Sequence, residues 1–151
     1  MLASAAEITK EIAKPFEGLR LSPYVCPAGV PTIGYGCIAY PDGRRVQLTD
    51  PPIDHATAEA MLDHEVYKAC RAALRLCPVL ITGAGCWGAV ADFVFNLGAG
   101  RLQASTLRRR INEQDWPEAR REMMRWVRGG GRVLSGLVRR RTAEALFIKG
   151  G

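Results

Sequence analysis

The sequence predicts an α+β fold, mostly helical, in which a small N-terminal β-sheet lobe and a helical C-terminal lobe are joined by one long helix. Three observations predict it. From Leu19 to Val46 no 3.6-residue period is present, and proline, glycine, tyrosine, valine and threonine dominate, as in short strands joined by turns. From Asp54 to Leu76 apolar residues (Met61, Leu62, Val66, Ala69, Ala73, Leu76) recur mostly at helical spacing, with no glycine or proline among them. Beyond Pro78 the chain reads as helices separated by glycines and caps. Apolar residues make up 48% of the 151 positions, enough to build a core at this length.

Each element has a local reason. Ser4-Ala-Ala-Glu7 fits a capping box and predicts a helix from near Ser4, with Ile8, Ile12 and Ala13 on its buried side. Pro15 has no amide proton and is expected to kink or end that helix just before Glu17. The β lobe, about residues 18–50, is read as strands over Leu21 to Val25 and Pro31 to Tyr35, with a third over Arg45 to Leu48. Pro27-Ala-Gly29 and Pro41-Asp-Gly43 supply the turns. Strict alternation would put Thr32, Gly34 and Gly36 on one face, leaving room for a close approach to the backbone.

Asp54 is the expected N-cap of the linking helix, about residues 54–76, which at about 1.5 Å per residue is over 30 Å long. The helical lobe takes in about residues 78–151 and the N-terminal helix, and the whole chain is expected to form one domain. Gly85 to Leu97 is apolar almost all round, so it is read as the buried central helix, ended by Gly98 and Gly100. Ser105 or Thr106 caps a helix running to about Asn112. Asp115-Trp-Pro-Glu118 is a second capping box, opening a helix to about Val127. Gly129-Gly-Gly131 breaks the chain, and a basic helix follows to about Ile148.

Composition narrows the function. The formal charge is +6, and much of the excess is arginine at Arg108 to Arg110 and Arg139 to Arg141. Such a surface favours polyanions, whether nucleic acid, anionic lipid or wall carboxylates, although either triplet alone reads as a solvated helix face. No nucleic-acid-binding motif is present, which sets that class aside. No apolar run reaches the ~18 residues of a membrane span. The N-terminus lacks the apolar stretch of a secretory signal, so the chain is read as made in the cytosol without an export signal. Five cysteines at irregular spacing, with no CxxC or Cys/His cluster, read as free thiols in a reducing compartment. No metal or cofactor is expected. His55 and His64 are too far round a helix to share a metal. Trp87, Phe95, Met123 and Trp126 are read as core.

Several separated motifs carry a resemblance. Glu17-Gly-Leu-Arg-Leu, Tyr24, Gly29 and Thr32-Ile-Gly-Tyr-Gly36 come first. Phe95-Asn-Leu-Gly98, Ser105-Thr-Leu107, Arg125-Trp126, Gly129-Gly130, Gly136-Leu137 and Arg139-Arg-Arg141 follow in order. Together they resemble the phage-type lysozymes (endolysins, glycoside hydrolase family 24) in their lambdoid-phage branch, over nearly the whole chain. The resemblance implies a lysozyme-like fold. It also implies a muramidase that cuts the β-1,4 bond between N-acetylmuramic acid and N-acetylglucosamine and thereby lyses the bacterium. It implies a catalytic glutamate, an aspartate after eight intervening residues and a threonine after five more. On that count the positions here are Glu17, Cys26 and Thr32, so a cysteine stands where the family usually has aspartate.

The chemistry makes the substitution the central question. Glycoside cleavage needs a proton on the departing oxygen, which a carboxylic acid in partly apolar surroundings supplies. Phe16, Leu19 and Pro15 are the candidates for such surroundings of Glu17. A second group must hold or activate water. A thiol does so weakly, and a thiolate does so better if its surroundings lower its pKa. Thr32 could bind the same water. Two other readings remain open: a lysozyme fold kept for binding peptidoglycan or a partner, and a lytic transglycosylase, which needs one acid/base and no water-activating group. The expected partner is peptidoglycan, with the arginines favouring anionic outer leaflets or wall carboxylates, and the chain is expected to act as a monomer. The resemblance further implies accumulation in the host cytoplasm and action on the periplasmic wall after holin-dependent release.

Overall fold

The computed structural model of the chain describes residues 1–149. Its fold is α+β and mostly helical. The helices are α1 (Leu2–Glu17), α2 (His55–Leu76), α3 (Ala84–Leu97), α4 (Ala99–Gln103), α5 (Thr106–Asn112), α6 (Trp116–Met123) and α7 (Ser135–Ala145). The strands are β1 (Arg20–Val25), β2 (Pro31–Gly34), β3 (Arg128–Gly129) and β4 (Arg132–Val133). The chain divides into two compact units, Lys14–Glu65 and Met1–Ala13 with Val66 onward, so α1 and α2 each contribute to both.

In the Lys14–Glu65 unit, β1 and β2 run antiparallel, pairing Tyr24 with Thr32 and Val25 with Pro31, with an irregularity between Tyr24 and the Arg20–Gly34 pair. Ile33, Cys37, Val46 and Met61 form its apolar centre, with Tyr40 and Ile53 packed against it. The expected third strand is reduced to a single bridge between Ala39 and Arg45. Backbone bonds from the Tyr40 amide to the Arg44 carbonyl (2.9 Å) and from the Val46 amide to the Ile38 carbonyl (3.0 Å) flank it, and side chains add to them. Tyr40 Oη donates to Asp50 Oδ2 (2.9 Å), and Arg44 Nη1 donates to Asp50 Oδ1 (3.1 Å). The Arg44 guanidinium also lies 4.3 Å from the Tyr40 ring centroid. Gly36 does not continue β2. Both Gly34 (φ +66°) and Gly36 (φ +80°) take left-handed conformations that turn the chain, and Thr32, Ile33 and Gly34 are all buried, so the alternating face is not formed.

The other unit is built round α3, where Cys86 to Val94 are all buried. Trp87 Nε1 donates to the Cys70 carbonyl at 2.8 Å, and Thr9 Oγ1 lies 2.8 and 3.1 Å from the Ala5 and Gly88 carbonyl oxygens. A Cβ on Gly88 would fall 2.6 Å from Ile8 Cγ2, so glycine is what lets α1 and α3 approach. Arg108 Nε and Asn112 Nδ2 both donate to the Leu76 carbonyl at 3.0 Å, satisfying an acceptor at the end of α2.

Several boundaries differ from expectation for physical reasons. α1 starts at Leu2, so Ser4 lies inside it and makes no capping box. α1 also continues through Pro15, since only two helical residues follow and the one amide lost is that facing the Glu11 carbonyl. α6 stops at Met123, where Arg125 and Trp126 amides turn back to Glu122 and Met123. Val127 then accepts from the Leu134 amide, drawing the chain into the β3–β4 hairpin around Gly129-Gly-Gly131. α7 ends at Ala145 rather than Ile148. It is not a solvated basic face: Arg140 and Arg141 are buried, and Arg139 alone of that triplet is exposed.

Candidate active site

Glu17 is the last residue of α1, and Gly18 (φ +64°) ends the helix as a left-handed glycine. Its side chain is half-buried. A Cβ built on Gly36 would fall 2.9 Å from Glu17 Oε2. Position 36 therefore answers two demands at once, a positive φ and no side chain beneath the carboxylate.

The β1–β2 connection positions Cys26. Its amide donates to the Val30 carbonyl (3.1 Å) and its carbonyl accepts from Gly29 (2.8 Å), with Gly29 at φ +79°. This tight turn folds backbone and hydroxyl donors round the sulfur. The Val30 backbone N–H, the Thr32 hydroxyl and the Ala28 backbone N–H hold the Cys26 thiol below its ordinary pKa, in that order of importance. Thr32 is 2% exposed, and its Oγ1 donates to the Val30 carbonyl at 2.8 Å. A hydroxyl has one proton and two acceptor positions. While the sulfur keeps its own proton, the Thr32 hydroxyl can point at Val30; once the sulfur is a thiolate, the hydroxyl can turn to it.

The fold thus joins Cys26 and Thr32 directly and places Glu17 over Gly36, in the same compact unit. Tyr24 links the two groups electrostatically. Burial pushes its phenol above the ordinary value, Arg20 opposes, and the charges of Cys26 and Glu17 add to the rise. Arg20 lies 4.5 Å from the Tyr24 ring centroid. Tyr24 belongs to the motif that carried the resemblance, yet neither spacing nor residue type singled it out as a site neighbour. The pairing of Tyr24 with Thr32 across the strands is what brings it there.

The remaining cysteines are of another kind. Cys37, Cys70, Cys77 and Cys86 are buried. Burial pushes Cys77 up to about 11 and Cys86 up to about 12. Cys26 is the half-exposed, acidified thiol of the five.

In the other unit, Ala104, Ser105, Thr106, Glu122, Arg125 and Trp126 line an open groove of about 370 Å³. Arg125 pairs with Glu122 at 3.3 Å along α6 and its end. Trp126, expected in the core, is half-buried: it meets the Phe93 ring edge-on at 5.4 Å and also lines the groove. Ser105 and Trp126 belong to motifs the sequence displays, but only folding brings them to one surface.

Comparison with known proteins agrees with the fold. The family model described as Phage lysozyme matches residues 14–144. The endolysin of Bacillus phage B103 is 34% identical over 92% of this chain, which spans about half (52%) of that relative. The endolysin of Acyrthosiphon pisum secondary endosymbiont phage 1 is also 34% identical, over 90% of this chain and 92% of the relative. Among solved structures, the endolysin from Escherichia coli O157:H7 phage FAHEc1 superposes with a TM-score of 0.81 at 30% identity, covering 96% of this chain and 90% of that one.

Proposed function

The chain belongs to the phage lysozyme family, and we propose that it is an endolysin muramidase that hydrolyses the β-1,4 bond between N-acetylmuramic acid and N-acetylglucosamine in peptidoglycan. The observation that carries this reading is the placement of Glu17, half-buried with its carboxylate over Gly36, in the same unit as the acidified Cys26 and its Thr32 partner.

The roles follow from the groups. The Glu17 carboxyl gives its proton to the glycosidic oxygen as the C–O bond breaks. Cys26 and Thr32 hold a water: the sulfur accepts one of its protons and the Thr32 oxygen fixes its direction. The water oxygen adds to the anomeric carbon while the sulfur draws its proton away. The donors that lower the Cys26 pKa also hold the thiolate lone pairs, which makes the sulfur a poorer nucleophile and favours water activation over a covalent thioglycoside. Release to the wall through a holin lesion belongs to the same proposal; no helix among the described residues is long and apolar enough to cross a membrane.

Two measurements test this reading. Mass spectrometry of muropeptides released from purified sacculi is expected to show reducing N-acetylmuramic acid ends. Anhydro-muramic ends would instead establish a lytic transglycosylase, and no released product a binding domain. Brief treatment of the native protein with iodoacetamide is expected to modify Cys26 ahead of the four buried thiols, with lytic activity falling in step. Full activity at complete Cys26 modification would remove the sulfur from the mechanism.

A further inference from the structure

We propose that Tyr35, Glu59 and Lys14 form a positioning clamp for Glu17, so that the Tyr35 hydroxyl governs turnover rather than substrate affinity; this rests on Glu17 being the general acid. The last turn of α1 is weakly held by its own backbone. Pro15 offers no amide to the turn before it, and the closing bond from the Gly18 amide to the Lys14 carbonyl is long, 3.5 Å. A side chain at position 17 therefore needs support from outside the helix.

That support converges on one atom. Lys14 Nζ donates to Glu59 Oε1 at 2.6 Å, and Tyr35 Oη donates to the same oxygen at 3.0 Å. The Lys14 ammonium also lies 5.5 Å from the Tyr35 ring centroid. Lys14 precedes Glu17 by three residues, so both lie on one face of α1. Tyr35, 8% exposed, directly precedes Gly36, the residue beneath the Glu17 carboxylate. One oxygen on α2 thus ties the Glu17 turn of α1 to the turn that forms its floor. The Lys14–Glu59 pair is about one-third exposed on each side and contributes little to folding as an ion pair. Its consequence is geometric: two donors sharing one acceptor leave the acid little freedom to shift. Misplacement of a reacting group by about 1 Å can cost about 100-fold in rate.

The same unit contains a matched control. Tyr40, Asp50 and Arg44 repeat the chemistry, a phenol and a cation on one carboxylate with the cation by the ring, but they brace the loop between residues 40 and 50. On solubilised peptidoglycan, Tyr35→Phe is expected to lower kcat by about tenfold with KM within about twofold. Tyr40→Phe is expected to leave both unchanged. Should Tyr35→Phe fail to fold by circular dichroism, Lys14→Met carries the same test from the helix side. In a Glu17→Gln background, Tyr35→Phe should cause no further loss. Wild-type kcat in Tyr35→Phe beside an inactive Glu17→Gln overturns the clamp alone, as does an equal loss in Tyr40→Phe or a rise confined to KM. A Glu17→Gln protein at wild-type rate overturns the assignment of the acid and the clamp with it.

Discussion

Replacing Glu17 by glutamine is expected to slow peptidoglycan cleavage by about 10²–10⁴-fold, the contribution a general acid typically makes. Glutamine is nearly isosteric and fits over Gly36 as the carboxylate does, so the fold and the clamp on α1 should persist. What disappears is the proton for the departing oxygen, and a primary amide cannot replace it. The effect should be larger than for any change at Cys26, because the water that Cys26 holds remains a nucleophile without its base. Turbidity clearing of permeabilised Gram-negative cells reads this directly. Wild-type protein that clears no faster than Glu17→Gln would end the muramidase reading, provided both show the same circular dichroism.

Asp92→Ala should be the most damaging single change to stability among those considered, about 3–5 kcal/mol, the usual consequence of stranding a buried charge. Arg140 Nε and Nη2 donate to the two Asp92 oxygens at 2.9 and 2.8 Å, and both side chains are almost wholly buried. Beside them Arg141 Nη2 reaches Glu144 Oε1 (2.6 Å) and Asn96 Oδ1 (2.8 Å). Without Asp92, two buried guanidinium groups are left beside the Glu144 carboxyl. Burial pushes the Glu144 carboxyl well up, the neighbouring Asp92 acts in the same direction, and Arg141 opposes. The folded state therefore keeps a proton that the unfolded chain has released once pH passes the ordinary carboxylate range. Through that window Glu144 makes stability fall as pH rises. Asp92→Ala removes one cause of the rise, so the pH window of this loss should narrow as the midpoint drops. Urea unfolding at several pH values measures both, and an unchanged midpoint would contradict the role given to the pair.

Much of the fold was legible because its signals act between neighbours. Asp54 caps α2 by accepting from the Thr57 amide, and Asp115 and Ser105 do the same for α6 and α5. Gly98 ends α3 in a left-handed conformation, as its position suggested. The proposed set of positions 17, 26 and 32 came from the family resemblance, which supplied the spacing that was then counted along one short segment. The β3–β4 hairpin was not legible: three consecutive glycines announce a break, but whether two-residue strands pair on either side depends on what lies beneath them.

By itself the sequence determined the order of the longer elements, the caps at Asp54, Ser105 and Asp115, and the spacing of an acid, a thiol and a hydroxyl along one short segment. These depend on contacts within a few residues, where backbone geometry leaves few choices. Only the tertiary structure decided the environments of those groups. It buried Arg140 and Arg141 against Asp92 and Asn96, more than forty positions away, in a helix that reads as a solvated basic face. It brought Glu59 to Lys14 and Tyr35, and it acidified Cys26 while raising Cys77 and Cys86. Desolvation and shared hydrogen bonds depend on what packs against a side chain, and residue type and spacing do not specify that.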